Sequence, residues 1–187
     1  AVEVVARASY AKNTTQVEAS VKTLGASKAQ AIVMVANTAA SAEFHKQYRA
    51  GGGTAQLFAL STTEGPQVAE KIGAKTAHGF AVSQVVPDPL NRGVPIVRDF
   101  QDDFQKYAPA GSQLSATILE GYVAARVLVE GLRRAGAEPT RAKLAASLQA
   151  LRNFDVGGMI IGFDSPSRSG SRYVDIAILG GDGKLLR

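Results

Sequence analysis

The chain has 187 residues, a formal net charge of +5 and a sequence pI of about 9.6. Hydrophobic residues make up 45% and charged residues 20% of it, which is ordinary for a globular protein. It contains no cysteine, which excludes disulfides and cysteine-bound metals. The basic residues are scattered, with few aromatic residues between them, so we interpret the charge as a solvated basic surface rather than a nucleic-acid site.

The first ninety residues predict alternating strands and helices, the pattern of an α/β fold with a parallel sheet. The apolar run at residues 31–36 does not alternate, so we expect that strand to be buried on both faces. With the next helix and strand it forms the βαβ unit around which the chain is organised. The predicted elements are a strand over residues 2–8, a helix opened by a capping box of Thr15 and Glu18 and closed at Gly25, a strand over 31–36, a helix ending at the glycines 51–53, a strand over 56–60, a helix over 63–73 and a strand over 77–86.

The pattern changes at residues 87–93, where two prolines and a glycine exclude regular structure and indicate a linker. Three helices follow without a strand between them, over residues 94–107, over residues 115–134 and after Thr140. The tail predicts a strand over 158–163, an alternating strand over 172–179 and a short return strand over 184–187. The apolar stripes expected on the helices are Phe100, Phe104 and Tyr107, then Ile118, Tyr122, Ala125, Val129 and Leu132, then Leu144, Leu148 and Leu151.

No catalytic constellation is readable in the sequence. His45 and His78 are far apart, and neither has a partner at metal-binding spacing. Asp102 and Asp103 are neighbours on a helix and point about 100° apart, so they do not form an acid–base pair. We therefore expect no enzymatic activity, no cofactor and no metal.

Small polar side chains follow two neighbouring strands of the predicted sheet. Asn37 and Thr38 end the first strand, and Ser61, Thr62 and Thr63 end the second. Ligands bind outside the carboxyl ends of the strands in open parallel sheets, and helix N-termini at such loops favour a carboxylate. We therefore predict a ligand site at these strand ends. Two further candidates are Tyr10, as an aromatic wall, and Gln84, at the end of the last predicted strand before the linker.

A second interpretation of two hydroxyl side chains stays open. Thr63 and Ser41 lie at or near the starts of predicted helices, so each can instead be a helix cap without a role in ligand binding.

Several segments together resemble one family. Residues 44–52, 72–80 and 121–136 are similar to its motifs, as are the closing segments 154–158, 162–164, 172–176 and 183–184. The family is that of the periplasmic solute-binding proteins of the leucine/isoleucine/valine-binding type, which have the type I periplasmic binding fold, and the resemblance covers its C-terminal half. It implies two lobes that trap a ligand between them. Residues 1–86 and 154–187 would belong to the second lobe, and residues 87–153 would be the crossover linker and helices of the first lobe, whose sheet is absent.

The resemblance also implies a function and a site. A ligand-contacting side chain of the family, often aromatic, falls at Asn37, and its amino-group-binding acid falls near Ser61 or Thr62, with Glu64 slightly further on. These departures make a small carboxylate as plausible a ligand as a branched-chain amino acid. We expect non-catalytic solute binding for the membrane permease of an ABC importer, in the periplasm or lipid-anchored outside the inner membrane. The alternative is the effector-sensing domain of a transcription regulator with the same fold.

The helices over residues 94–107 and 115–134 would, by this resemblance, pack on the first lobe's sheet. In the chain as it stands, they either fold back on its own sheet or pair with a second copy. We favour the second arrangement and predict a homodimer with residues 115–134 in the interface.

Overall fold

The computed structural model describes residues 3–164 and 169–187 and confirms the α/β class. The chain forms two compact units: unit 1, Ala1–Gln84 with Ile176–Arg187, and unit 2, Val85–Asp175. The sequence prediction groups residues 154–187 with residues 1–86, whereas in the structure only Ile176–Arg187 of that segment lies in unit 1. The reason is packing, because Val156, Met159 and Ile161 are buried in the hydrophobic cluster of unit 2.

Unit 1 contains the predicted βαβ unit. Strands β1 (Ala31–Met34) and β2 (Gln56–Ala59) pair in parallel, with Ala31 opposite Gln56 and Met34 opposite Ala59, and β2 also pairs in parallel with β3 (Ala81–Gln84). Two later strands, β6 (Asp175–Leu179) and β7 (Leu185–Leu186), complete the order β1-β2-β3-β6-β7, and β7 is antiparallel to β6. The elements of unit 1 are α1 (Glu18–Ala26), β1 (Ala31–Met34), α2 (Thr38–Ala50), β2 (Gln56–Ala59), α3 (Gly65–Ile72), α4 (Ala74–Ala77), β3 (Ala81–Gln84), β6 (Asp175–Leu179, its first residue in unit 2) and β7 (Leu185–Leu186).

The sheet of unit 1 is covered on one face, and the expectation that β1 is buried on both faces is wrong. Ile32 and Met34 are buried under the helices, whereas Val33 is 68% and Val35 is 76% exposed. The same alternation appears in β6, where Ala177 is buried while Ile176 and Ile178 are exposed. The apolar run is therefore a strand with one buried face and one apolar face that no described residue covers.

The predicted first strand does not form. Residues 3–8 have no regular secondary structure, and Val4 and Val5 are more than half exposed. A strand requires a hydrogen-bonded neighbour, and among the described residues the sheet ends at β1. The capping box of Thr15 and Glu18 is also absent, since Val17 precedes α1 without a side-chain cap.

Unit 2 is mainly helical. Its helices begin close to where the sequence predicts: Pro95 lies in the first turn of α5 (Pro95–Tyr107), and the side chains of Ser115 and Thr140 cap α6 (Ala116–Ala135) and α7 (Arg141–Gln149). None of the helices in the described ranges is both long and apolar enough to span a bilayer. The elements of unit 2 are α5 (Pro95–Tyr107), α6 (Ala116–Ala135), α7 (Arg141–Gln149), β4 (Phe154–Asp155) and β5 (Ile160–Ile161).

The inward face of α6 differs from the predicted stripe. Leu119, Val123 and Val127 are buried in the cluster of unit 2, around Phe100 and Leu151. Most of the predicted stripe is exposed instead. Helix α6 is apolar on two faces, and the face that packs inside unit 2 is the one opposite the predicted stripe.

Candidate functional site

The carboxyl ends of β1 and β2 are tied together by hydrogen bonds between their loops. The hydroxyls of Thr62 and Thr63 donate to the carbonyl oxygen of Ala36 at 3.1 and 3.0 Å. The backbone N–H of Glu64 donates to Thr38 Oγ1 at 3.0 Å. The structure therefore brings together predicted positions from both loops. Thr38 and Glu64 are joined by a direct hydrogen bond, Thr62 is joined to the first loop through Ala36, and Asn37 and Ser61 are their neighbours in the same two loops.

Behind this edge lies a buried pair of hydroxyls. Ser41 Oγ and Thr63 Oγ1 are 3.0 Å apart, and both residues are almost fully buried. Neither side chain acts as the helix cap that the alternative interpretation assigned to it, since Asn37 caps α2 and Glu64 precedes α3. Their role is to join the helix after β1 to the loop after β2. No sequence signal marks this pairing, because it depends on how two segments meet.

The side chain of Asn37 uses its oxygen, but not its NH₂ group, in hydrogen bonds among the described residues. Its Oδ1 accepts a hydrogen bond from the backbone N–H of Ala40 at 3.0 Å, which caps α2. Its side chain is exposed, and its Nδ2 donates no hydrogen bond within the described ranges. The residue can therefore hold the helix and donate to a ligand at the same time.

The remaining loop residues differ in exposure. Thr62 is exposed, while Ser61 and Glu64 are half-buried. The helices α2 and α3 both begin here, at Thr38 and Gly65, so the partial positive charge of two helix N-termini lies at the same edge. Hydroxyl and amide groups beside helix N-termini suit a polar ligand that carries a carboxylate.

Gln84 ends β3, in the strand next to β2. It is 3% exposed, and its Oε1 has no hydrogen-bond partner among the described residues. A buried unpaired acceptor is costly, so a donor from a ligand or a water would stabilise it.

Tyr10 is not joined to the strand-end loops by any hydrogen bond within the described ranges. It is half-buried and packs against the hydrophobic cluster of unit 1.

The edge presents groups that can form hydrogen bonds. Within the described ranges, no group of three or more His, Cys, Asp or Glu side chains is placed to hold a metal ion. The strand-end residues supply hydroxyls, one amide, the carboxylate of Glu64 and helix N–H groups, and among the described residues they include no nucleophile paired to a base.

Comparison with known proteins identifies a family. A profile described as "periplasmic binding protein" matches residues 1–184. No curated protein matches the chain. The fold of the chain matches solved proteins of the type I periplasmic binding fold, as the sequence predicted.

Three solved structures illustrate the similarity. A substrate-binding periplasmic protein from Ralstonia solanacearum is 36% identical with a TM-score of 0.86, over 95% of this chain and 50% of that one. An extracellular ligand-binding receptor from Verminephrobacter eiseniae is 28% identical (TM-score 0.78; 89% and 49% covered). A possible leucine/isoleucine/valine-binding protein from Rhodopirellula baltica is 27% identical (TM-score 0.84; 95% and 48% covered). The chain thus spans about half the length of the solved relatives it matches.

Proposed function

The chain belongs to the periplasmic binding protein family. We propose that it binds a small polar solute without changing it chemically and delivers that solute to an ABC importer. The family consists of binding proteins rather than enzymes, in line with the absence of a readable catalytic site. The description of the family supports a location of this chain outside the cytoplasm. The membrane permease as partner, and periplasmic or lipid-anchored attachment, are parts of this proposal.

The observation that carries the proposal is the edge formed by the loops after β1 and β2. These loops are held in place by internal hydrogen bonds, yet Asn37 and Thr62 stay exposed there. A preorganised edge loses little conformational freedom when a ligand binds.

The ligand class follows from the charges at this edge. Two helix N-termini favour an anionic group, Asn37 Nδ2 adds a donor, and the half-buried Glu64 before α3 adds an acid that favours an ammonium group. The unpaired Gln84 Oε1 would accept a hydrogen bond from an amide, hydroxyl or ammonium group of the ligand. We therefore propose an amino acid or a small carboxylate, the class that includes the ligands named for the Rhodopirellula baltica relative.

The test begins with mass spectrometry of small molecules released by denaturing the protein, in the full-length polypeptide where the chain is part of one. Calorimetry with each released compound then compares the parent with Asn37→Ala and Thr62→Val. Each lost hydrogen bond should weaken binding by about 1 kcal/mol, which is roughly fivefold in Kd.

The matched control is Thr54→Ala, because Thr54 is an exposed threonine just before β2, away from the strand's carboxyl end. It should leave Kd unchanged. Unchanged Kd for both Asn37→Ala and Thr62→Val would contradict the proposed site, and recovery of a chemically altered ligand would contradict the non-catalytic function.

A further inference from the structure

Gln84 lies at the carboxyl end of β3, the middle strand of the unit 1 sheet. In the pairing of β2 with β3, Ala59 is opposite Val82. Continuing this parallel register by two residues brings Gln84 level with Ser61, in the loop after β2. Gln84 therefore lies at the same edge of the sheet as the strand-end loops.

The side chain of Gln84 lies on the face of the sheet that the helices cover. Successive side chains of a strand point to opposite faces, so Gln84 shares a face with Val82, which is buried in the hydrophobic cluster of unit 1. The start of α3 lies over this face, since a Cβ at Gly65 would be 3.5 Å from Val82 Cγ2. Gln84 is one step of about 7 Å further along the strand, close to the N-terminus of α3.

Neither end of the Gln84 amide is hydrogen-bonded among the described residues. The residue is 3% exposed, its Oε1 has no partner, and its Nε2 donates to none of the described residues. The chain itself covers this side chain, so the missing partner is not the consequence of an open surface. Burial of an amide without hydrogen bonds costs free energy, and a purely structural role would not require it.

A second glutamine of the same sheet shows what a structural role looks like. Gln56 begins β2, at the opposite edge, and its Nε2 donates to the carbonyl oxygens of Leu57 and Gly79 at 3.1 and 2.6 Å. It thereby ties the start of β2 to the segment before β3. Gln84 forms no such bond among the described residues. Because nothing there holds either end of its amide, its Oε1 can turn towards a group that approaches from the strand ends.

We propose that Gln84 is a specificity-determining residue of the ligand site, with its Oε1 accepting a hydrogen bond from an N–H or O–H group of the solute. The inference rests on the function proposed above and narrows its ligand class. A solute with such a donor satisfies the buried oxygen, whereas a solute without one leaves it unpaired. Sites that bond a donor reject analogues that lack it, so 2-amino and 2-hydroxy acids are favoured over unsubstituted acids of the same carbon skeleton.

Calorimetry with three series of probes tests this preference, in the full-length polypeptide where the chain is part of one. The probes are the twenty proteinogenic amino acids, the corresponding 2-hydroxy acids and the corresponding unsubstituted acids, and thermal shift of the parent first identifies the skeleton that binds. The parent should bind the amino or hydroxy acid at least about tenfold more tightly than the unsubstituted acid. Gln84→Met keeps the length of the side chain but removes the acceptor, so the preference should fall below about threefold.

Thermal unfolding without any probe separates a ligand-facing glutamine from a structural one. Gln84→Met removes an unpaired buried amide, so this variant should melt no lower than the parent. Gln56→Met is the matched control in the neighbouring strand. It loses two hydrogen bonds, so it should melt lower than the parent and keep the parental preference among the probes.

An unchanged preference in Gln84→Met, or a melting temperature below that of Gln56→Met, would overturn the inference. The proposed function would stand in that case if Asn37→Ala and Thr62→Val still weaken binding. Failure of every probe to bind the parent would overturn the proposed ligand class and this inference with it.

Discussion

Thr62 and Thr63 donate to the same acceptor, the carbonyl oxygen of Ala36, but they differ in exposure. Thr63 is buried and also contacts Ser41, so Thr63→Val leaves buried polar groups without partners. We expect this variant to lower the free energy of unfolding by about 1–3 kcal/mol. Urea denaturation followed by circular dichroism measures the change.

Thr62→Val is the matched control, because it removes a hydroxyl bonded to the same oxygen at an exposed position. It should change stability by no more than about 0.5 kcal/mol while weakening ligand binding. Equal destabilisation by the two variants would contradict the distinction between a structural and a ligand-facing threonine.

His45 is a buried titratable group in unit 1. It contacts Phe80 with ring centroids 5.2 Å apart, and neither ring nitrogen forms a hydrogen bond of ordinary geometry among the described residues. Burial, assisted by the charge of Arg49 and opposed by the backbone of Thr76, lowers its pKa from 6.5 to about 4. Between about pH 4 and pH 6.5, His45 therefore binds fewer protons in the folded state than in the unfolded state.

The pH dependence of stability follows from this difference. The stabilising contribution is complete above pH 6.5 and is lost as the pH falls towards 4, by up to about 3 kcal/mol. His45→Leu should flatten the curve of unfolding free energy against pH in that range. His78→Leu, at an exposed position, is the control and should retain the parental slope. A slope in His45→Leu equal to that of the parent would show that other groups cause it.

At the scale of elements, the turn between α2 and β2 depends on a glycine packed against a tyrosine ring. A Cβ at Gly53 would collide with the ring of Tyr48, whose hydroxyl accepts the N–H of Ala55 at 3.2 Å. The ring is also stacked on Phe44, so it has little freedom to move. Gly53→Ala should lower the free energy of unfolding by about 1–3 kcal/mol.

The control for this prediction is Gly25→Ala, inside α1. A Cβ there meets nothing within 4 Å, so helix propensity should stabilise the variant by about 0.5–1 kcal/mol. Thermal melting of both variants provides the comparison. A Gly53→Ala variant as stable as the parent would mean that the Tyr48 ring moves aside easily.

The helices and strands could be predicted from the sequence because hydrophobic periodicity, helix caps and helix-breaking residues are properties of each segment by itself. Thr140 caps α7 as predicted, α6 begins beside its predicted start at Ser115, and the βαβ unit forms in its predicted order. Which face of an element turns inward is not a local property. The apolar residues of α6 recur with the same period on both faces, and only the position of its neighbours selects Leu119 over Ile118.

The candidate site also combines features that are local in the sequence with features that depend on how distant segments meet. Parallel strand ends predict which loops meet, so Asn37 and Thr62 could be named in advance. The pairing of Ser41 with Thr63 and the unpaired oxygen of Gln84 depend on atomic placement across the sheet. Tyr10 is a candidate because it follows the strand predicted over residues 2–8, and no strand forms over residues 3–8.

At the scale of the molecule, the described residues form two separate hydrophobic clusters, one in each unit. Leu57 is fully buried in the first and Leu119 in the second. Replacing either with alanine should cost about 2–5 kcal/mol. Because the clusters are separate, hydrogen exchange should accelerate mainly within the unit that carries the substitution.

The two variants serve as controls for each other. Mass spectrometry of peptides from each unit resolves the effect, with Leu57→Ala acting on α2 and β2 and Leu119→Ala acting on α5 and α6. Equal acceleration in both units for either variant would show that they unfold as one cooperative body.

Unit 1 is assembled from two stretches of chain, and all of unit 2 is synthesised between them. Strand β6 nevertheless hydrogen-bonds beside β3, with the N–H of Leu179 donating to the carbonyl oxygen of Phe80 at 2.9 Å. On the ribosome, the growing sheet therefore keeps an unpaired strand edge at β3 until unit 2 has emerged. Closing an unstructured loop of that length costs about 4 kcal/mol, so folding of unit 2 on its own would shorten the search. Nascent chains released before Ile176 should accordingly be the ones that chaperones hold.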